Sequence, residues 1–87
     1  MDYIIDGQMM TSREATYEYL IETLQLPDYT GHNLDALWDV LLDLPDLQII
    51  FINARYCLDN LGDYGRDLLD LFGDLNFEDN YEVVMYW

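Results

Sequence analysis

At 87 residues, with 18 Asp and Glu against three basic side chains, this chain carries a formal charge of −15. That balance excludes a surface for nucleic acid or anionic membranes, both of which need clustered Lys and Arg. A hydrophobic fraction of 52% with eight Tyr excludes a disordered chain and suffices for one domain, residues 1–87, with a small core. No apolar run approaches the roughly 18 residues of a membrane span. Asp2 and Asp6 stand where a secretory leader would be basic, and the apolar run beside them is short. The single Cys57 has no internal partner, as expected in a reducing compartment. A cytoplasmic location is the expectation. The charge itself has three readings: a basic protein partner, simple solubility, or a salty cytoplasm.

In chain order, Tyr3-Ile4-Ile5 reads as a first strand, ended by the turn pair Asp6-Gly7. Gln8-Met9-Met10 is a connector. Thr11 and Glu14 have the spacing of a capping box, which starts a helix running to about Gln25. Tyr17, Leu20, Ile21 and Leu24 recur at helical spacing and form its buried side, and Glu14, Glu18 and Glu22 form an acidic row. Pro27 disfavours a helical conformation at Leu26 and stops the helix.

The segment from Tyr29 to Leu41 reads as a loop feeding a short helix. Asn33 is a suitable N-cap, and Gly31 before it suits a loop residue of positive φ. At about 100° per residue, Leu34, Leu37 and Leu41 share one side. Asp35, Asp39 and Asp43 share another, with Trp38 between the two faces. Like charges at this spacing destabilise a helix by a few tenths of a kcal/mol per pair. The row is either a solvated face or a ridge of carboxylates aimed at a cationic partner, with Trp38 as a flat anchor. The Glu14 row has the same spacing and is read as solvated, so spacing alone does not decide.

Leu47 to Ile52 is the strongest strand, apolar enough to be covered on both faces of a parallel sheet. Residues 54–64 look irregular, with one helical turn from Tyr56 ending near Gly62. A helix from about Gly65 to Phe77 buries Leu68, Leu71, Phe72 and Leu75 and shows Asp67, Asp70, Asp74 and Glu78. Gly73 inside it suggests a close packing contact. Tyr81 to Trp87 is a last strand rich in aromatic and branched residues, with Trp87 expected to pack on the sheet. Helical connections between short strands imply a parallel sheet with right-handed crossovers. The expected architecture is α/β: three parallel strands with about four helices, mainly on one face.

Enzyme chemistry is poorly supplied. His32 and Cys57 fall in different elements and lack an orienting third group; His32 reads as an exposed loop residue and Cys57 as a small buried one. Asp59-Asn60-Leu61-Gly62-Asp63 lacks the spacing of a calcium loop, and no zinc or phosphate motif is present. No enzyme activity, metal or cofactor is expected.

Tyr29-Thr30-Gly31-His32-Asn33-Leu34-Asp35-Ala36-Leu37-Trp38-Asp39-Val40-Leu41 resembles the signature of the barstar family of intracellular ribonuclease inhibitors. The family pattern is Tyr-x-Gly-x-Asn-Leu-Asp-Ala-Leu-Trp-Asp-x-Leu, and every fixed position is present. Thr30 stands where a second aromatic is common. The resemblance implies a loop and helix inserted into the active site of a basic ribonuclease. It assigns Asp39 as a mimic of an RNA phosphate, Asp35 as a second charge contact, Tyr29 and Trp38 as aromatic contacts, and Gly31 and Asn33 as loop-shaping residues. Asp43 extends the row, and Asp74 and Glu78 align with acidic contacts near the nuclease edge. The implied partner is a basic ribonuclease of the extracellular type or a related nuclease toxin, met by a protein that is a monomer when free. The alternative is an antitoxin or acidic interaction module on the same scaffold with a non-ribonuclease partner.

Overall fold

A computed structural model describes residues 1–87. Three strands, β1 (Asp2–Asp6), β2 (Leu47–Ile52) and β3 (Tyr81–Met85), form one sheet in the order β1-β2-β3. Both pairings are parallel, with Ile4 opposite Ile50 and Ile50 opposite Val84. Four α-helices connect them: α1 (Arg13–Thr23) and α2 (Leu34–Leu42) before β2, then α3 (Arg55–Leu61) and α4 (Asp63–Leu75) before β3. A 3-10 turn, Gly7–Met9, leaves β1 and is capped by the Asp6 side chain. The α/β architecture is the expected one. No helix is long and apolar enough to cross a membrane.

The core lies between the sheet and the helices. Ile5, Ile49, Phe51 and Val83 reach it from the strands, and Tyr17, Leu20, Leu37, Leu41, Leu68, Phe72 and Leu75 from the helices. Phe51 and Phe72 meet edge to face, with ring centroids 5.4 Å apart. This geometry lets the positive ring edge approach the negative face. Cys57 is buried, its thiol 3.2 Å from the Met10 sulfur. Desolvation raises its pKa to about 11, so it packs as a small apolar residue.

Several local expectations change. The cap of α1 is Ser12, not Thr11: Ser12 Oγ accepts from Ala15 N–H at 3.1 Å, so no capping box forms with Glu14. The helix ends at Thr23, and Gln25 adopts a φ of 55°. Ile21 is only half-buried. Residues 54–64 are ordered as α3 and the start of α4, with Gly62 at a φ of 60° in the corner between them. Gly73 has no heavy atom within 4 Å of where a Cβ would sit, so it marks no close contact. Gly65 does: a Cβ there would fall 2.0 Å from the Cys57 carbonyl oxygen, and this close approach lets α4 cross α3. Strand β2 is covered on one face only; Ile50 is 44% exposed on the other. Trp87 is 66% exposed and does not pack on the sheet.

Candidate partner-binding face

The loop into α2 is built by local bonds. Thr30 donates to the Pro27 carbonyl through both its backbone N–H (3.0 Å) and its hydroxyl (2.7 Å). The resulting turn buries Thr30 and lifts Tyr29 to its apex, 85% exposed. An inward-facing threonine thus occupies the place where the family often has a second aromatic. Gly31 is not needed for a positive φ; the only glycine with one is Gly62. Its role is steric, since a Cβ would lie 3.1 Å from the Ala36 Cβ and 3.2 Å from the Asn33 amide nitrogen. The loop therefore lies flat on the first turn of α2. Asn33 caps that turn, its Oδ1 accepting from Ala36 N–H at 2.8 Å. Asp35 in the same turn is favoured by the helix dipole.

Both ends of the segment are tied to the body. The His32 ring stacks on Tyr17 (5.5 Å between centroids, 10° between planes), and its Nδ1 lies 3.0 Å from a Glu14 carboxylate oxygen. The Tyr17 hydroxyl bonds to that of Tyr64, whose ring lies beneath the Arg13 guanidinium at 4.0 Å. Burial and the Tyr64 bond keep the Tyr17 phenol protonated well above the usual tyrosine range. His32 is therefore a buttress joining loop and α1, a role its partial exposure alone would not suggest. At the other end, the Tyr81 hydroxyl lies 2.5 Å from the Leu41 carbonyl and 2.6 Å from that of Leu44, and donates to them in a shared bond. It thereby ties the last turn of α2 and Leu44 beyond it to β3, adding to the Leu44 N–H that already donates to the Leu41 carbonyl at 3.2 Å. Burial, then Asp43, Glu78 and Asp46, push the Tyr81 phenol up, which preserves the donor.

On this frame, Leu37 and Leu41 are fully buried, and Trp38 is half-buried against the core. Asp35, Asp39 and Asp43 are all exposed. Helix α4 lies beside α2, and a shallow groove of about 270 Å³ runs between them. Asp35 and Trp38 line it from one side, Asp67, Asp70 and Asp74 from the other, over a floor of Leu34 and Leu71. The structure thus brings Asp74 to the α2 face and adds Asp67 and Asp70, which the sequence shows only as an acidic row. Their spacing gave the face of α4 but not its neighbour. Asp39, Asp43 and Glu78 are exposed outside the groove. Phe77, beside Glu78, is 87% exposed.

None of these carboxylates has an ion-pair partner; the ion pairs in the molecule are Glu14–His32 and Asp46 with the terminal amine. No group of three or more His, Cys, Asp or Glu is arranged to hold a metal ion. The face therefore offers unpaired negative charge beside an indole, on a helix fixed at both ends. It can hold guanidinium and ammonium groups and a flat apolar contact.

A parallel three-stranded sheet that carries this loop and helix within its first crossover defines a family of small inhibitor proteins. The chain belongs to it: the family described as "Barstar (barnase inhibitor)" matches residues 1–86. Among individual proteins, the chain is 36% identical over 87 aligned positions to one from Bacillus subtilis (strain 168) named "Putative ribonuclease inhibitor YrdF", with 94% of each chain covered.

Proposed function

We propose that this protein inhibits a basic ribonuclease by occupying its active site with the Tyr29–Asp43 loop and helix. The observation that carries the reading is the complete family signature displayed with Asp35 and Asp39 open to solvent on a helix capped by Asn33. A ribonuclease must bind polyanionic RNA, so its catalytic groove is cationic. Asp39 stands in for an RNA phosphate, and Asp35 supplies a second charge. Tyr29 and Trp38 give apolar area at little cost in rotamer entropy, each having two χ angles. Gly31 and Asn33 hold the loop against the helix. Asp43, Asp74 and Glu78 extend the acidic surface around the contact, and Asp67 and Asp70 join them across the groove. The protein contributes exclusion and charge mimicry, with no chemistry of its own. A formal charge of −15 accelerates encounter with a basic partner.

Titration of RNA cleavage by a basic microbial ribonuclease tests the assignment. Asp39→Ala removes a charge-assisted contact worth about 3 kcal/mol and is expected to weaken inhibition by about a hundredfold. Glu18→Ala, on α1, is expected to change it less than twofold. Equal effects would defeat the site assignment. Failure of the unaltered protein to protect RNA from any such enzyme would instead favour the antitoxin or interaction-module reading.

A further inference from the structure

The sheet has one face that nothing in the molecule covers. Its central row is Ile4, Ile50 and Val84, in register across the three strands and 61%, 44% and 38% exposed. The next row continues with Ile52 and Tyr86, because Tyr86 N–H donates to the Phe51 carbonyl at 2.8 Å and Ala54 N–H to the Tyr86 carbonyl at 3.0 Å, extending the β2–β3 ladder. Tyr86 is 59% exposed. All-parallel sheets are ordinarily covered on both faces, since their strands are apolar on both. Here the second layer is missing.

The border of the apolar strip is acidic. Asp2 and Glu82 flank it on either side of Gln48, in register, and line with Ile4 and Ile50 a depression of about 350 Å³. At the other end, beside Ile52, the Asp6 carboxylate accepts from Gln8 N–H and the Asn53 amide. Neither Asp2 nor Glu82 is ion-paired, and the terminal amine is taken by Asp46 and Gln48. The arginines sit elsewhere, Arg13 on α1, Arg55 on α3 and Arg66 on α4.

We infer that this open face docks a cationic amphipathic helix of a partner protein. The backbone groups of β2 are used in the ladders on both sides, so the face offers side chains only, and apolar packing must drive the contact. A helix with apolar residues at i, i+3, i+4 and i+7 matches such a strip. Lys or Arg on its flanks lays an aliphatic stem along the isoleucines and places its charge at Asp2 and Glu82. A second copy of this chain is the poorer occupant. A two-fold contact sets the same patch against itself, crowding two acidic borders together under a charge of −15 apiece. The inference stands apart from the ribonuclease reading, because this face lies opposite the helix layer that carries α2 and α4.

The test uses the full chain and a synthetic 18-residue Leu/Lys peptide of helical periodicity, with a permuted peptide of the same composition as control. Amide shifts are followed by NMR. The periodic peptide is expected to move Ile4, Ile50 and Val84, and to bind at least about tenfold tighter than the permuted one. Ile4→Thr with Ile50→Thr keeps β-branched residues in the strands and is expected to weaken binding at least about tenfold. Asp35→Asn with Asp39→Asn is expected to leave it within about twofold. Equal binding of both peptides, shifts mapping to the α2–α4 groove, an unaffected threonine variant, or no binding up to about 1 mM would each overturn the inference. So would sedimentation showing a dimer of the free protein that Ile50→Thr dissolves.

Discussion

Asn33 carries two tasks, since one amide oxygen both fixes the first turn of α2 and sets the direction in which Asp35 and Asp39 project. Asn33→Ala leaves Ala36 N–H without its acceptor and is expected to lower stability by about 1 kcal/mol, read as a shifted midpoint in urea unfolding. An unchanged midpoint would mean that the loop, not the cap, fixes the helix start. Cys57 gives a second test at this scale. Burial lifts its thiol from an ordinary 9.0 to about 11. Between those values the unfolded chain sheds the proton and the native chain keeps it, so unfolding releases a proton and stability falls as pH rises. The contribution is whole below about pH 9 and is lost toward pH 11. Urea unfolding at intervals across this range is expected to show a steeper decline for the unaltered protein than for Cys57→Ala. The tyrosines raised by burial contribute equally to both. Parallel curves would show that the thiol does not sense its burial.

Two glycines of α4 separate what a sequence displays from what a fold requires. Gly73 interrupts a strong helical pattern, yet it borders open space. Gly65 looks like a helix boundary, yet its missing Cβ admits the Cys57 carbonyl. Gly65→Ala is therefore expected to destabilise by about 3 kcal/mol through overpacking, and Gly73→Ala to stabilise by up to about 1 kcal/mol through helix propensity. Thermal or urea unfolding reads both; the opposite ordering would contradict the α3–α4 packing. The same limit explains other departures. Leu68, Leu71, Phe72 and Leu75 announced the buried side of α4 because periodicity is local. The start of α4 at Asp63 depends on the left-handed corner at Gly62, which no periodicity records. Thr11 and Ser12 are both competent caps, and in the fold it is Ser12 that takes the bond from Ala15 N–H.

Across the molecule, the parallel sheet was legible because short apolar runs are separated by helical connections. The bare face of the sheet was not. Ile4, Ile50 and Val84 look like core residues in sequence; the register puts them on one face and their exposure shows that no layer covers it. The candidate face divides in the same way. The α2 half is one continuous motif and could be read directly. The α4 half, Asp67, Asp70 and Asp74, becomes part of the surface only when packing sets α4 beside α2. The Glu14, Glu18 and Glu22 row supplies the contrast, being equally acidic but on a helix without the indole and with Glu14 already taken by His32.

The central claim is that a basic ribonuclease is held by the loop, α2 and the acidic side of α4. Its most direct test is amide shift mapping of the isotopically labelled protein as a ribonuclease that it inhibits is added. Shifts are expected within Tyr29–Asp43 and Asp67–Glu78, with Glu18 and Glu22 of α1, and the open face of the sheet, unmoved. A perturbed surface centred on either of those, with Asp35 and Asp39 unchanged, would contradict the account.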